Sequence, residues 1–242
     1  MRHLALALGL AASPLAAQEA PSEVDLFVES NLYAILYHEL GHAFIDILEM
    51  PVFGQEEDAA DVASILLIND LFDEETATAI TYDTAFAFLG EAEEREAAGE
   101  APAWWGVHGI DLQRYYTLVC LFVGADPGAR DHIAEDLGLP AERQETCEEE
   151  FWLANESWGA VFDEMAAAAP GESFVYLGGT DSLTEQVVAA EVAALNEDFA
   201  LPEDLVIRVE ACDEANAFYD PVTVEVVMCS EFEDWLREIA PR

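Results

Sequence analysis

The 242-residue chain sets 51 acidic side chains against 8 basic ones, a formal net charge of −43, and every basic residue is an arginine. A surface of that sign repels phosphate backbones and anionic lipid, which argues against nucleic acid and membrane partners. Because 52% of the residues are apolar and 10% aromatic, the chain is no disordered polyanion; the acidity coats one folded body.

The opening "MRHLALALGLAASPLAAQEAP" has a basic tip, an apolar stretch from Leu4 to Ala12 and small residues at Ala16 and Ala17. This is the pattern of a secretory signal peptide over residues 1–17, leaving 18–242 as a single exported domain, periplasmic or secreted. The stretch is too short to span a bilayer, and no later segment has the roughly 18 continuous apolar residues a span requires. In an oxidising compartment four cysteines suggest two disulfides, and short loops favour Cys120 with Cys147 and Cys212 with Cys229. Their spacing fits neither a zinc ribbon nor a redox CxxC pair.

After a polar linker, Asp25 to Leu48 reads as a helix that is apolar on nearly every face, hence one sandwiched inside a domain. Met50, Pro51 and Gly54 break it, and a second helix follows from Glu56 to Leu71. Glu74 to Glu96 forms a third. A loop, "AAGEAPAWWGVHG", leads into the helical "IDLQRYYTLVCLFVG", then a short helix opened by Asp126 and Pro127, then a long one from Pro140 to Ala168. The pattern changes at "ESFVYLGG", a strand. A helix from Leu183 to Phe199 comes next, then "LVIRVEAC" and "VTVEVVMC" as two strands joined across "DEANAFYDP", and a closing helix from Glu231 to Ala240. The expected fold is α+β: residues 24–169 helical, 170–242 supplying a small antiparallel sheet.

The first helix holds "HELGH". His38 and His42 stand four residues apart on one helical face, so their imidazoles can share one metal ion, while Glu39 lies beside it as a base for an activated water. Gly41 permits a close approach at that turn. On the second helix Glu57 and Asp61 repeat the four-residue spacing. Glu57 is the chosen third ligand, with Asp58 and Asp61 as rivals; Asp61 would otherwise orient a ligand histidine through its second N–H. Glu56 reads as surface charge. The ion offsets the cost of burying so many polar groups.

Of the other histidines after the signal, His108 follows two tryptophans in a loop, where it can donate to the oxyanion of a tetrahedral intermediate or simply be pinned by its neighbours. His132 belongs to an acidic helix surface. Tyr219 in "NAFYDP" is an alternative oxyanion donor or a turn anchor.

"HELGH" with "GQEEDAAD", then "VHGIDLQRYYTLVCLFVGADP", "LPAERQETCEEEF" and "NAFYDP" together resemble a largely uncharacterised family of bacterial zinc metallopeptidases across most of the chain. The HExxH with its downstream ExxxD is similar to the gluzincin arrangement. That implies a zincin-like fold, zinc held by His38, His42 and Glu57, Glu39 as base and Asp61 in support. It also implies that His108, Asp111 and Arg114 belong near the site. In that family the strand region precedes the HExxH helix; here it follows, as in a circularly permuted order. The expected activity is zinc-dependent hydrolysis of peptide bonds in a peptide or protein substrate. The alternatives are a catalytically inactive metal-binding or partner-binding protein on the same scaffold and, more weakly, bulk cation binding by the acidic shell.

Overall fold

A computed structural model describes residues 20–241. The signal segment expected over residues 1–17 lies outside them. Six helices come first: α1 (Glu23–Ile47), α2 (Glu56–Leu71), α3 (Glu74–Ala97), α4 (Asp111–Ala125), α5 (Pro127–Asp136) and α6 (Ala141–Ala167). There follow β1 (Phe174–Leu177), α7 (Leu183–Asp198), β2 (Leu205–Glu210), β3 (Ala217–Asp220), β4 (Glu225–Cys229) and α8 (Glu231–Ile239). Local chemistry sets these limits. Ser22 and Asp25 form a capping box at the start of α1, as Ser182 and Glu185 do for α7; Asp73 caps α3, and Asp126 caps α5 ahead of Pro127.

Sixteen of the 25 residues of α1 are buried, which makes it the central element. It packs against α2 and α3 and also against α7, α8, β3 and β4. Phe44, Leu36 and Leu40 have no exposed surface; burying each side chain contributes about 1.5–3 kcal/mol. Arg130 of α5, itself 4% exposed, ties four helices together by donating to Glu74, Asn69 and the Phe122 carbonyl. Both expected disulfides form: Cys120–Cys147 joins α4 to α6, and Cys212–Cys229 joins the end of β2 to the end of β4. Among the described residues no helix is long and apolar enough to cross a membrane.

The fold is α+β, mostly helical with a four-stranded sheet in its C-terminal part, but the sheet is mixed rather than antiparallel. Its order is β1-β2-β4-β3; β1 pairs parallel with β2, β2 parallel with β4, and only β3 runs antiparallel. The α7 crossover between β1 and β2 makes that pair parallel; for β2 and β4 the reason is "AFYD". Read as part of a connection, it is a strand of its own, and by returning the chain it lets β4 run in the same direction as β2. Residues 222–224, expected within the last strand, form a turn with Pro221 instead.

At the other end of the chain, α8 lies beside the first turn of α1, where Arg237 Nη1 donates to Asp25 Oδ1 at 2.7 Å.

Candidate metal centre

Gly41 is what lets α1 and α2 meet. A Cβ there would lie 2.9 Å from the Ala60 Cα, so only a glycine admits the second backbone. Ala60, fully buried, shares one face of α2 with Glu57 and Asp61, three positions before it and one after. The contact therefore delivers both carboxylates to the histidine face of α1.

Three imidazoles converge on one oxygen. The Nε2 atoms of His38, His42 and His108 lie 3.3, 3.2 and 2.8 Å from Glu57 Oε2. The donor atoms of His38, Glu57 and His108 all fall within 4.8 Å of one another. His42 stands outside that tighter set; its Nδ1 is 2.9 Å from Glu56 Oε1. Glu56, expected as plain surface charge, thus touches the cluster from its rim.

Behind His38, its Nδ1 is 2.8 Å from Asp61 Oδ1. The angle is not that of a hydrogen bond, and Nδ1 has no other partner. The proximity still places a carboxylate against the ring, which acts through charge whatever the angle. Asp61 is itself gripped by Arg114, whose Nε and Nη2 each donate at 2.8 Å to the two carboxylate oxygens. The guanidinium also lies 4.6 Å from the centre of the Phe88 ring.

These contacts move the titrations. The hydrogen bonds from His108, His38 and His42 hold the Glu57 carboxyl well below the usual carboxylate range. Burial pushes Asp61 up, but Arg114 and His38 more than reverse it, leaving it low. Burial alone would depress His38; Asp61 and Glu57 outweigh that and raise it to about 9. His42 is raised in the same way, against burial, by Glu57 and Glu56. Glu39 is pushed up by burial, with the two helix histidines pulling back.

The cluster opens onto a cleft of about 960 Å³ that Glu39, Asp46 and Glu91 also line. Ala217, Phe218 and Tyr219 of β3 form its far wall. β3 is an edge strand. The Asn216 carbonyl accepts from the Cys229 amide at 3.0 Å, so the antiparallel alternation turns the backbone groups of Ala217 and Tyr219 away from β4. The Tyr219 backbone accordingly faces Glu39 and helps to lower the pKa of its carboxyl.

His38, Glu39, His42, Glu57, Asp61, His108 and Arg114 are therefore brought together. Asp111 is not: at the start of α4 it accepts from Arg95 at 3.1 Å. The hydroxyl of Tyr219 is committed to Asp46 Oδ2 at 2.7 Å, on a strand rather than a turn. Asp58 contributes nothing to the three-residue donor set. His132 is exposed on α5. Three acidic cleft residues went unread in the sequence, Asp46, Glu49 and Glu91. Asp46 had a signal, since it continues the His38, His42 spacing by one more turn of the same face.

Imidazole nitrogen with carboxylate oxygen is the donor chemistry of a divalent transition ion. His38, facing the cluster through Nε2 and a carboxylate through Nδ1, has the disposition of an imidazole that binds through one nitrogen and is oriented through the other. The cluster is a candidate site for such an ion. A family model described as "putative metallopeptidase" matches residues 13–162 and 179–240, and the chain belongs to that family. Comparison with curated proteins and with solved structures gives no match.

Proposed function

We propose that the protein is an exported zinc-dependent peptidase that hydrolyses peptide bonds. The observation that carries this reading is the convergence of three imidazole Nε2 atoms on Glu57 Oε2, at 2.8 to 3.3 Å, beside the buried carboxyl of Glu39. His38, His42 and Glu57 hold the ion, with Asp61 orienting His38. When bound, the ion supplies Lewis-acid polarisation and a more acidic water.

Glu39, its affinity for a proton raised by burial, takes the proton of the attacking water and returns it to the leaving amine. The Tyr219 backbone, facing that carboxyl, favours its charged form. His108, whose Nε2 reaches the same Glu57 oxygen, donates to the developing oxyanion. The free edge of β3 offers backbone groups to an extended substrate segment. Two disulfides support export, since such bonds persist outside the reducing cytosol. The contact between Arg237 of α8 and Asp25 of α1 puts the first and last described helices side by side, as a permuted segment order requires.

Metal analysis with cleavage assays on casein and a peptide library tests the reading. One zinc per chain is expected in both wild type and Glu39→Gln, with cleavage by the variant reduced about 10³-fold. Undiminished cleavage by the variant would overturn the base assignment.

A second reading has its own observation. His108 belongs to the tighter donor set and His42 reaches the same Glu57 oxygen. If both rings bind along with His38 and Glu57, four protein donors fill a tetrahedral ion and no position remains for water. The protein would then be a metal-binding scaffold without turnover. Cobalt substitution separates the two: His108→Ala leaves the coordination spectrum unchanged in the first reading and alters it in the second.

A further inference from the structure

The loop that carries His108 does more than place one ring. Between α3 and the start of α4 it arches over the end of α3 and encloses a groove of about 880 Å³. Leu89, Pro102, Trp105, Val107, Ile110 and Leu112 give the groove an apolar lining. Trp104, Trp105 and Val107 are 76%, 89% and 65% exposed. Three large apolar side chains so close together on the outside of a chain with 51 acidic residues mark a surface made to be covered.

What covers it follows from where the groove leads. His108 lines both the groove and the metal cleft, so a segment leaving the cleft on that side runs directly into it. Glu93, Glu96 and Glu100 border the groove, while Arg95 is engaged by Asp111. An acidic side chain is repelled there, and an apolar one is received. We propose that this groove is a specificity subsite, which holds a large apolar side chain of the peptide substrate a few residues from the bond under attack. The proposal rests on the peptidase reading and deepens it by naming a substrate class.

The test uses the zinc-loaded full chain and paired peptides that differ only by leucine or phenylalanine against alanine at successive positions. Wild type is expected to prefer the apolar member about tenfold in kcat/KM at one position on one side of the cleaved bond. In Trp105→Ala that ratio falls towards one, with an unchanged melting temperature because the side chain is exposed. Calorimetric titration of Glu39→Gln with the same pairs reads binding without turnover and should show the same loss. Cleavage with no apolar preference at any position, or a preference that survives Trp105→Ala, overturns the subsite and leaves the peptidase reading intact. Apolar-selective binding that requires Trp105, with no cleavage by wild type, overturns the peptidase reading and keeps the groove. Neither binding nor cleavage overturns both.

Discussion

Arg114 and Asp61 meet as two matched forks, with Nε and Nη2 of the guanidinium each 2.8 Å from a separate carboxylate oxygen and the two side chains only 14% and 15% exposed. The arginine comes from α4, the aspartate from α2, and the aspartate lies against His38. An ion pair so placed keeps Asp61 charged and aimed.

Removing one half of such a pair strands the other. Arg114→Ala is expected to cost about 3–5 kcal/mol of stability, because Asp61 loses its counter-charge in a buried place. Metal affinity should fall about 10- to 100-fold, the usual effect of losing a group that orients a ligand. Arg114→Lys restores charge without the fork and should recover only part of either loss. Denaturant unfolding and competition with a chromophoric chelator measure the two effects.

Gly41→Ala tests the approach of α1 to α2. The new methyl would meet the Ala60 backbone at 2.9 Å, which backbone cannot yield cheaply, so the helices must part. A loss of about 1–3 kcal/mol is expected, together with weakened zinc binding. Gly54→Ala, where an added Cβ meets nothing within 4 Å, serves as the control and should retain wild-type affinity.

Metal binding should depend on pH through His38. Its pKa stands at about 9 in the metal-free protein against an ordinary 6.5. A raised histidine contributes stability fully below pH 6.5 and loses that contribution as pH rises through about 9. The ion takes the unprotonated ring, so apparent zinc affinity climbs over the same interval, approaching tenfold per pH unit for each proton released. Chelator competition from pH 6 to 9 reads the slope. Asp61→Asn removes one of the charges that raise His38 and should flatten it.

A second pH effect lies away from the metal. Tyr37 on α1 donates to Glu191 on α7, and both are buried. Burial raises the Glu191 carboxyl above its ordinary value. An acid whose folded pKa is raised stabilises most at low pH, and its contribution is lost as pH climbs past the unfolded value. Glu191→Gln should therefore flatten the decline in stability above about pH 4.5. Tyr37→Phe leaves the carboxyl without its donor and should cost about 1–3 kcal/mol. Thermal melts between pH 4 and 8 would show both.

The helices were legible because apolar residues recur at helical spacing and because Pro51, Gly54, Asp73 and Pro127 punctuate them. His38, His42, Glu57 and Asp61 were legible for the same reason, as a four-residue spacing fixes a shared face without any knowledge of tertiary structure. β3 was not: four residues between Asn216 and Pro221 offer too little period to separate a strand from a turn. The grip of Arg114 on Asp61 spans 53 positions of sequence, a distance over which no local pattern speaks. The family resemblance put Arg114 near the site but could not name its partner. His108 sits on a loop, whose path is set by what it packs against, so its arrival at Glu57 could only be seen in three dimensions.

The free edge of β3 has one more consequence. Outward-facing amides and carbonyls accept any extended strand, including the same strand of another molecule. Mutual repulsion between bodies that each bear 43 net negative charges opposes such stacking. That shield reaches about 10 Å at 0.1 M salt and shrinks to about 3 Å at 1 M. Self-association through β3, and with it blockage of the cleft by a strand of another copy, should accordingly grow with ionic strength.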